Sequence, residues 1–97
     1  MKTKKQLQKY EGKTPKDFEH MPEFSNYSRN YYKGYNGDVL FACNIFNDDY
    51  TEWHLIEKGQ ENSSMQYIGY SVADEGNAIH IETVQSPYSN KKSQLEG

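Results

Sequence analysis

Three histidines, one cysteine and a scatter of carboxylates are the residues of this chain whose types could do chemistry. His54 and His80 each sit in a stretch where polar and apolar residues alternate, with Glu52 and Glu82 two positions away. If the strands carrying them pair, two imidazoles and two carboxylates would share one sheet face. That is a donor set for a metal centre or an acid/base pair. A zinc site usually also holds one close ligand pair, and His20, His54 and His80 are all far apart in sequence. The simpler expectation is that His54 and His80 are polar residues on the wet face of a sheet.

Cys43 needs a base within reach and a lowered pKa to act as a nucleophile. It lies mid-run between Phe41 and Ile45, where a small buried residue is the simpler expectation. Asp48-Asp49 and Asp74-Glu75 fall in turn-like stretches. Adjacent carboxylates on a turn form no preorganised acid/base pair, and neither pair has the spacing of a calcium loop. They are expected to be solvated, or to meet a basic partner. Phosphate-binding glycine loops, nucleophile elbows and HExxH are absent from the sequence. No catalytic residue, metal ligand or cofactor is assigned.

The stretch Tyr31-Tyr32-Lys33-Gly34-Tyr35-Asn36-Gly37, with Arg29 just ahead, is the most unusual in the chain. Rings interleaved with cations can stack bases and contact phosphate. Two cations are few for a groove that tracks nucleic acid. The same rings could edge the core or form a protein-binding patch. Tyr31, Tyr32, Tyr35, Asp48, Asp49 and Glu52 are therefore taken as partner-binding candidates. Arg29 and Lys33 are the nucleic-acid alternative.

The elements that must position these groups are read from pattern. Residues 3–10 favour a short helix with Leu7 and Tyr10 as its apolar points. Thr14-Pro15-Lys16-Asp17 has the composition of a helix start, and Phe18 and Met21 would be its buried face. Tyr27 and Tyr31 at i, i+4, with Gly34 beyond, predict a helix over 26–33. From Asp38 the pattern turns to β. Val39, Phe41, Cys43 and Ile45 alternate as the apolar positions of a first strand. Trp53 and Leu55 share a face of the second, opposite Glu52 and His54. Ile68, Tyr70 and Val72 share a face of a third strand over 65–72. Ile79 and Ile81 point inward from a fourth over 78–85. The expected fold class is α+β, with short N-terminal helices packed on a four-stranded antiparallel meander sheet. Residues 1–13 are read as a basic, flexible segment, 14–86 as the single domain and 87–97 as a loose tail.

At 97 residues the chain suits one domain. Apolar residues make up 34% and nine of the fourteen aromatics are tyrosine, so amphipathic rings must supply much of the core. Charge is polarised. Residues 1–37 carry eight basic and four acidic side chains, whereas residues 38–90 carry Lys58 alone against nine carboxylates. Such asymmetry bears on partners rather than fold. A single cysteine, no bilayer-length apolar run and no secretory leader pattern lead to a cytoplasmic expectation without membrane contact. Lysine outnumbers arginine ten to one, and asparagine and tyrosine are abundant, a bias of AT-rich coding.

The leading expectation is a small acidic, non-enzymatic protein-binding module. It would regulate or inhibit a basic, nucleic-acid-handling partner, in the manner of proteins carried by phages and plasmids of AT-rich bacteria. The first alternative is a nucleic-acid-binding module using the basic, tyrosine-rich N-terminal third. The second is a small enzyme, metal binder or ligand binder using the strand histidines. The chain is expected to be a monomer, or a homodimer through an exposed strand edge.

Overall fold

A computed structural model of the chain describes residues 2–25, 29–44, 49–59 and 65–82. Thr3 caps a single helical turn, α1 (Lys4–Leu7), through a capping box in which its hydroxyl accepts from the Gln6 amide and the Gln6 side chain accepts from the Thr3 amide. A 3₁₀ turn, Gln8–Tyr10, continues it. Leu7 and Tyr10, three residues apart, both point down and are completely buried. Residues of the segment expected to be a basic arm thus contribute two members of the core.

At the expected helix start the Asp17 carboxylate accepts from the Thr14 amide, but the helix is one 3₁₀ turn, Pro15–Asp17. Phe18 is extended instead. Its ring reaches Tyr10, Tyr35 and Trp53, with centroids 5.9, 5.9 and 6.5 Å away. A continued helix would present it differently. The chain enters a two-residue strand, β1 (Glu19–His20), and turns at Met21–Phe24 with Pro22 at the second position.

The helix expected over 26–33 is corrected: Arg29–Lys33 is a strand, β2. It pairs antiparallel with β3 (Val39–Asn44), Tyr31 opposite Phe41 and Tyr32 opposite Leu40. Tyrosine favours strands, and long-range pairing overrides the helical spacing of Tyr27 and Tyr31; Tyr27 lies outside the described residues. Gly34, expected to end a helix, serves a close approach. A Cβ there would sit 3.0 Å from the Tyr10 hydroxyl and 3.2 Å from the Asp38 carbonyl oxygen.

Strand β4 (Tyr50–Ile56), strand β5 (Gln66–Val72) and strand β6 (His80–Ile81) complete the sheet. The order is β1-β2-β3-β4-β5-β6, every neighbour antiparallel. The protein is a small α+β domain whose sheet has six strands among the described residues rather than four. Residues 83–85 of the expected last strand lie outside the described residues.

One face of the sheet carries the core. Leu40, Ala42, Trp53, Leu55, Ile68, Ile79 and Ile81 cluster there with Leu7 and Tyr10, and Phe18, Tyr32 and Tyr35 pack against them. The expected inward faces of β4 and of Ile79 and Ile81 hold. The face of β3 is reversed: Leu40 and Ala42 enter this cluster, while Val39, Phe41 and Cys43 point to the other side. An irregularity between Trp53 and His54 changes β5. Trp53 pairs with Gly69 and His54 with Tyr67, which leaves Ile68 as an extra residue. Ile68 therefore turns into the core and separates from Tyr70, with which it was expected to share a face. Gly69 allows β6 to approach, since a Cβ would lie 2.1 Å from the His80 carbonyl oxygen.

Candidate functional site: the outer face of the sheet

The helical turn carrying Leu7 and Tyr10 lies on the core side of the sheet. On the outer side, alternation along the strands, adjusted by the extra residue in β5, brings together residues that are distant in sequence. Tyr31 of β2, Phe41 of β3, His54 of β4 and Tyr67 of β5 lie side by side across four strands. Their successive ring centroids are 4.9, 5.7 and 5.6 Å apart, all edge-on. A parallel row runs Arg29, Cys43, Glu52, Tyr70 and His80. Tyr50 stacks on Tyr70 with parallel ring planes and centroids 5.5 Å apart, and the Tyr70 and His80 centroids are 5.2 Å apart. The Arg29 guanidinium sits 5.5 Å from the Phe41 ring centroid. Tyr31, Tyr50, Tyr67 and Tyr70 are half-buried and Arg29 is exposed.

Glu52 stands in the middle of this face and is only 7% exposed. Its Oε1 lies 3.3 Å from Nε2 of His54, and its Oε2 is buried with no hydrogen-bond partner among the described residues. Burial pushes the Glu52 carboxyl above its ordinary range and the His54 imidazole below its own. In both cases burial disfavours the charged form. Burial also raises the Tyr67 hydroxyl, helped by Glu82, Tyr50 and Glu52 nearby. That hydroxyl donates to Oε1 of Glu82 at 3.4 Å.

The tyrosine cluster read from sequence is split by the strand. Tyr31, Arg29 and Lys33 point outward. Tyr32 and Tyr35 pack against the core, with Tyr32 5.6 Å from the Trp53 ring and Tyr35 stacked on Tyr10 at 5.1 Å. Two of the three rings that could stack bases thus lie on the side opposite Arg29 and Lys33. Lys33 approaches Glu19 at 3.5 Å.

Of the acidic candidates, Asp49 is exposed at the start of β4 and Asp48 lies outside the described residues. Glu52, taken from sequence as a surface contact, is buried beneath the outer face because its neighbours are mostly rings. The two strand histidines do not converge as a pair. His54 turns to Glu52, whereas His80 lies 2.7 Å from Glu75 and 3.9 Å from Glu11. Glu82 keeps to Tyr67. His20 bonds the Ser25 hydroxyl at 3.0 Å, beside a surface hollow of about 210 Å³ lined by residues 19–24 and Lys33. Among the described residues no group of three His, Cys, Asp or Glu side chains is placed to hold a metal ion, and no helix is long and apolar enough to cross a membrane.

Sequence reasoning missed Phe41, Tyr50, Tyr67 and Tyr70 as members of this face. The alternation in β3 and β4 held a signal for the first two. Nothing in the sequence announced the extra residue in β5 that puts Tyr67 beside His54. No family model, curated protein or solved structure matches the chain.

Proposed function

We propose that this chain is a small, non-enzymatic protein-binding module that meets its partner through the outer face of the sheet. One observation carries the reading: rings from four adjacent strands form a continuous stripe, half-buried at Tyr31, His54 and Tyr67 and buried at Phe41, on the side away from the Leu7–Tyr10 turn. Tyrosine and arginine are favoured at interfaces, where a ring supplies contact area at low entropic cost and the hydroxyl finds a partner. A sheet half with Lys58 as its single cation and nine carboxylates over residues 38–90 favours a basic partner. A regulator or inhibitor of a nucleic-acid-handling protein fits that chemistry, since such a protein offers a positive groove. The catalytic reading loses its two-histidine cluster, because His54 and His80 have separate partners. The nucleic-acid reading loses stacking area where Tyr32 and Tyr35 join the core.

The test is affinity capture with the full chain, identification of the captured protein, and titration of that protein, purified, against two double variants. Tyr31→Ser/Tyr70→Ser alters the outer face. Lys5→Ser/Lys16→Ser alters exposed positions on the helical side. Loss of binding in the first variant with retention in the second supports the reading; the reverse result contradicts it.

A further inference from the structure

Oε2 of Glu52 is a buried acid oxygen of the outer face with no hydrogen-bond partner among the described residues. A buried polar atom is normally paired, and an exception in a native fold calls for an explanation. Removing a carboxylate from water without donors is costly, yet Glu52 sits on a central strand with Cys43 directly opposite on one side and Tyr70 on the other. Its remaining oxygen is committed to His54. The Tyr67 hydroxyl, a donor near this acid, is turned to Glu82.

The surroundings of that oxygen are those of a cation site. A ring surface attracts a cation through its quadrupole, and a desolvated carboxylate adds charge and hydrogen-bond geometry. The face already holds one guanidinium, since Arg29 lies over Phe41. Arg29 is two strands from Glu52, about 10 Å at the usual strand spacing, and its guanidinium is engaged on the ring rather than on the acid. Arginine suits this place better than lysine. Its planar head stacks on rings, offers several fixed N–H donors and loses less hydration when covered.

We infer that the outer face receives an arginine side chain of the partner protein, stacked against Tyr67 and Tyr70 and donating to Oε2 of Glu52. The inference rests on the binding-module reading and names its chemistry. Oε2 is closed to solvent in the free chain, so the half-buried rings of Tyr67 and Tyr70 give way as the guanidinium enters. The buried acid then gains the donor it lacks, and an anchoring residue of this kind would carry a large share of the binding energy.

N-acetylarginine amide, titrated into the full chain and followed by the NMR signals of the Glu52 carboxyl carbon and the tyrosine rings, tests this directly. The expected result is a saturable shift of Glu52, Tyr67 and Tyr70 that N-acetylglutamine amide does not produce. Glu52→Gln should weaken the probe by about tenfold or more, as expected for loss of a charged hydrogen bond. Tyr67→Leu, which keeps the acid, should weaken it as well and serves if Glu52→Gln does not fold. No saturable shift, or equal affinity in both variants, overturns the inference. If the outer-face variants still lose a protein partner in that case, the binding-module reading stands without the arginine. A probe that binds at Glu52 supports the inference independently of any captured protein.

Discussion

Oε1 of Glu52 lies 3.3 Å from Nε2 of His54, two residues further along β4, with both side chains on the outer face of the sheet. Alternation explains why they share a side. Burial explains why each is displaced towards its neutral form: Glu52 holds its proton to higher pH, and His54 releases its proton at lower pH, than either does in water.

The two shifts have opposite consequences for stability. The folded-state pKa of His54 lies below its ordinary 6.5, so its contribution is complete above pH 6.5 and is lost as pH falls below that value. The folded-state pKa of Glu52 lies above its ordinary 4.5, so its contribution is complete below pH 4.5 and is lost as pH rises above it. Glu52→Gln should therefore gain stability relative to the parent between pH 4.5 and pH 7. His54→Gln should lose the acid-side decline that begins at pH 6.5. Urea midpoints across that range measure both. A pH-independent difference between parent and Glu52→Gln would contradict the burial of the acid.

Trp53 is the single tryptophan of the chain, and its Nε1 donates to the Ser71 hydroxyl at 2.9 Å inside the core. Ser71→Ala leaves that N–H buried without an acceptor, at a cost of about 1–3 kcal/mol. Tryptophan fluorescence followed through urea unfolding reads the loss, and an unchanged midpoint would place the indole N–H in water instead.

Leu7→Ala asks whether the N-terminal segment belongs to the fold. Leu7 is completely buried in the core cluster, so truncation should cost about 2–5 kcal/mol. A free basic arm would tolerate the change within about 0.5 kcal/mol, as ordinary surface positions do. Thermal unfolding of the variant decides between them.

Gly69→Ala tests the β5–β6 contact. The new Cβ would meet the His80 carbonyl oxygen at 2.1 Å, and relief requires β6 to move. A loss of about 1–3 kcal/mol, with faster amide exchange in β6, is the expected outcome. Parental stability and exchange would mean that β6 does not approach Gly69 this closely.

These residues also show what the sequence could and could not convey. The β character after Asp38, the inward pair Trp53 and Leu55, and the helix-start chemistry of Thr14 and Asp17 were legible because they rest on local pattern. Strand β2 was not, because Tyr27 and Tyr31 satisfy helical spacing and only the partner strand β3 decides otherwise. The facing of β3 was ambiguous for a related reason. Val39, Phe41 and Cys43 are as apolar as Leu40 and Ala42, so both sides of the strand look like core. The outer face was visible only as fragments. Its assembly depends on the six-strand register and on Ile68 as the extra residue of β5, neither of which local spacing encodes. Glu52 looked like a surface acid since nothing in its immediate sequence reveals that Cys43 and Tyr70 flank it across the sheet.

The central claim is that the outer face is where a protein partner binds. Its most direct measurement is the affinity of a purified, captured partner for the parent chain and for Tyr31→Ser/Tyr70→Ser, with folding verified by the Trp53 fluorescence of each. The account predicts a loss of about tenfold or more, as for removal of central aromatic contacts, in a variant that remains folded. An affinity equal to that of the parent would contradict it.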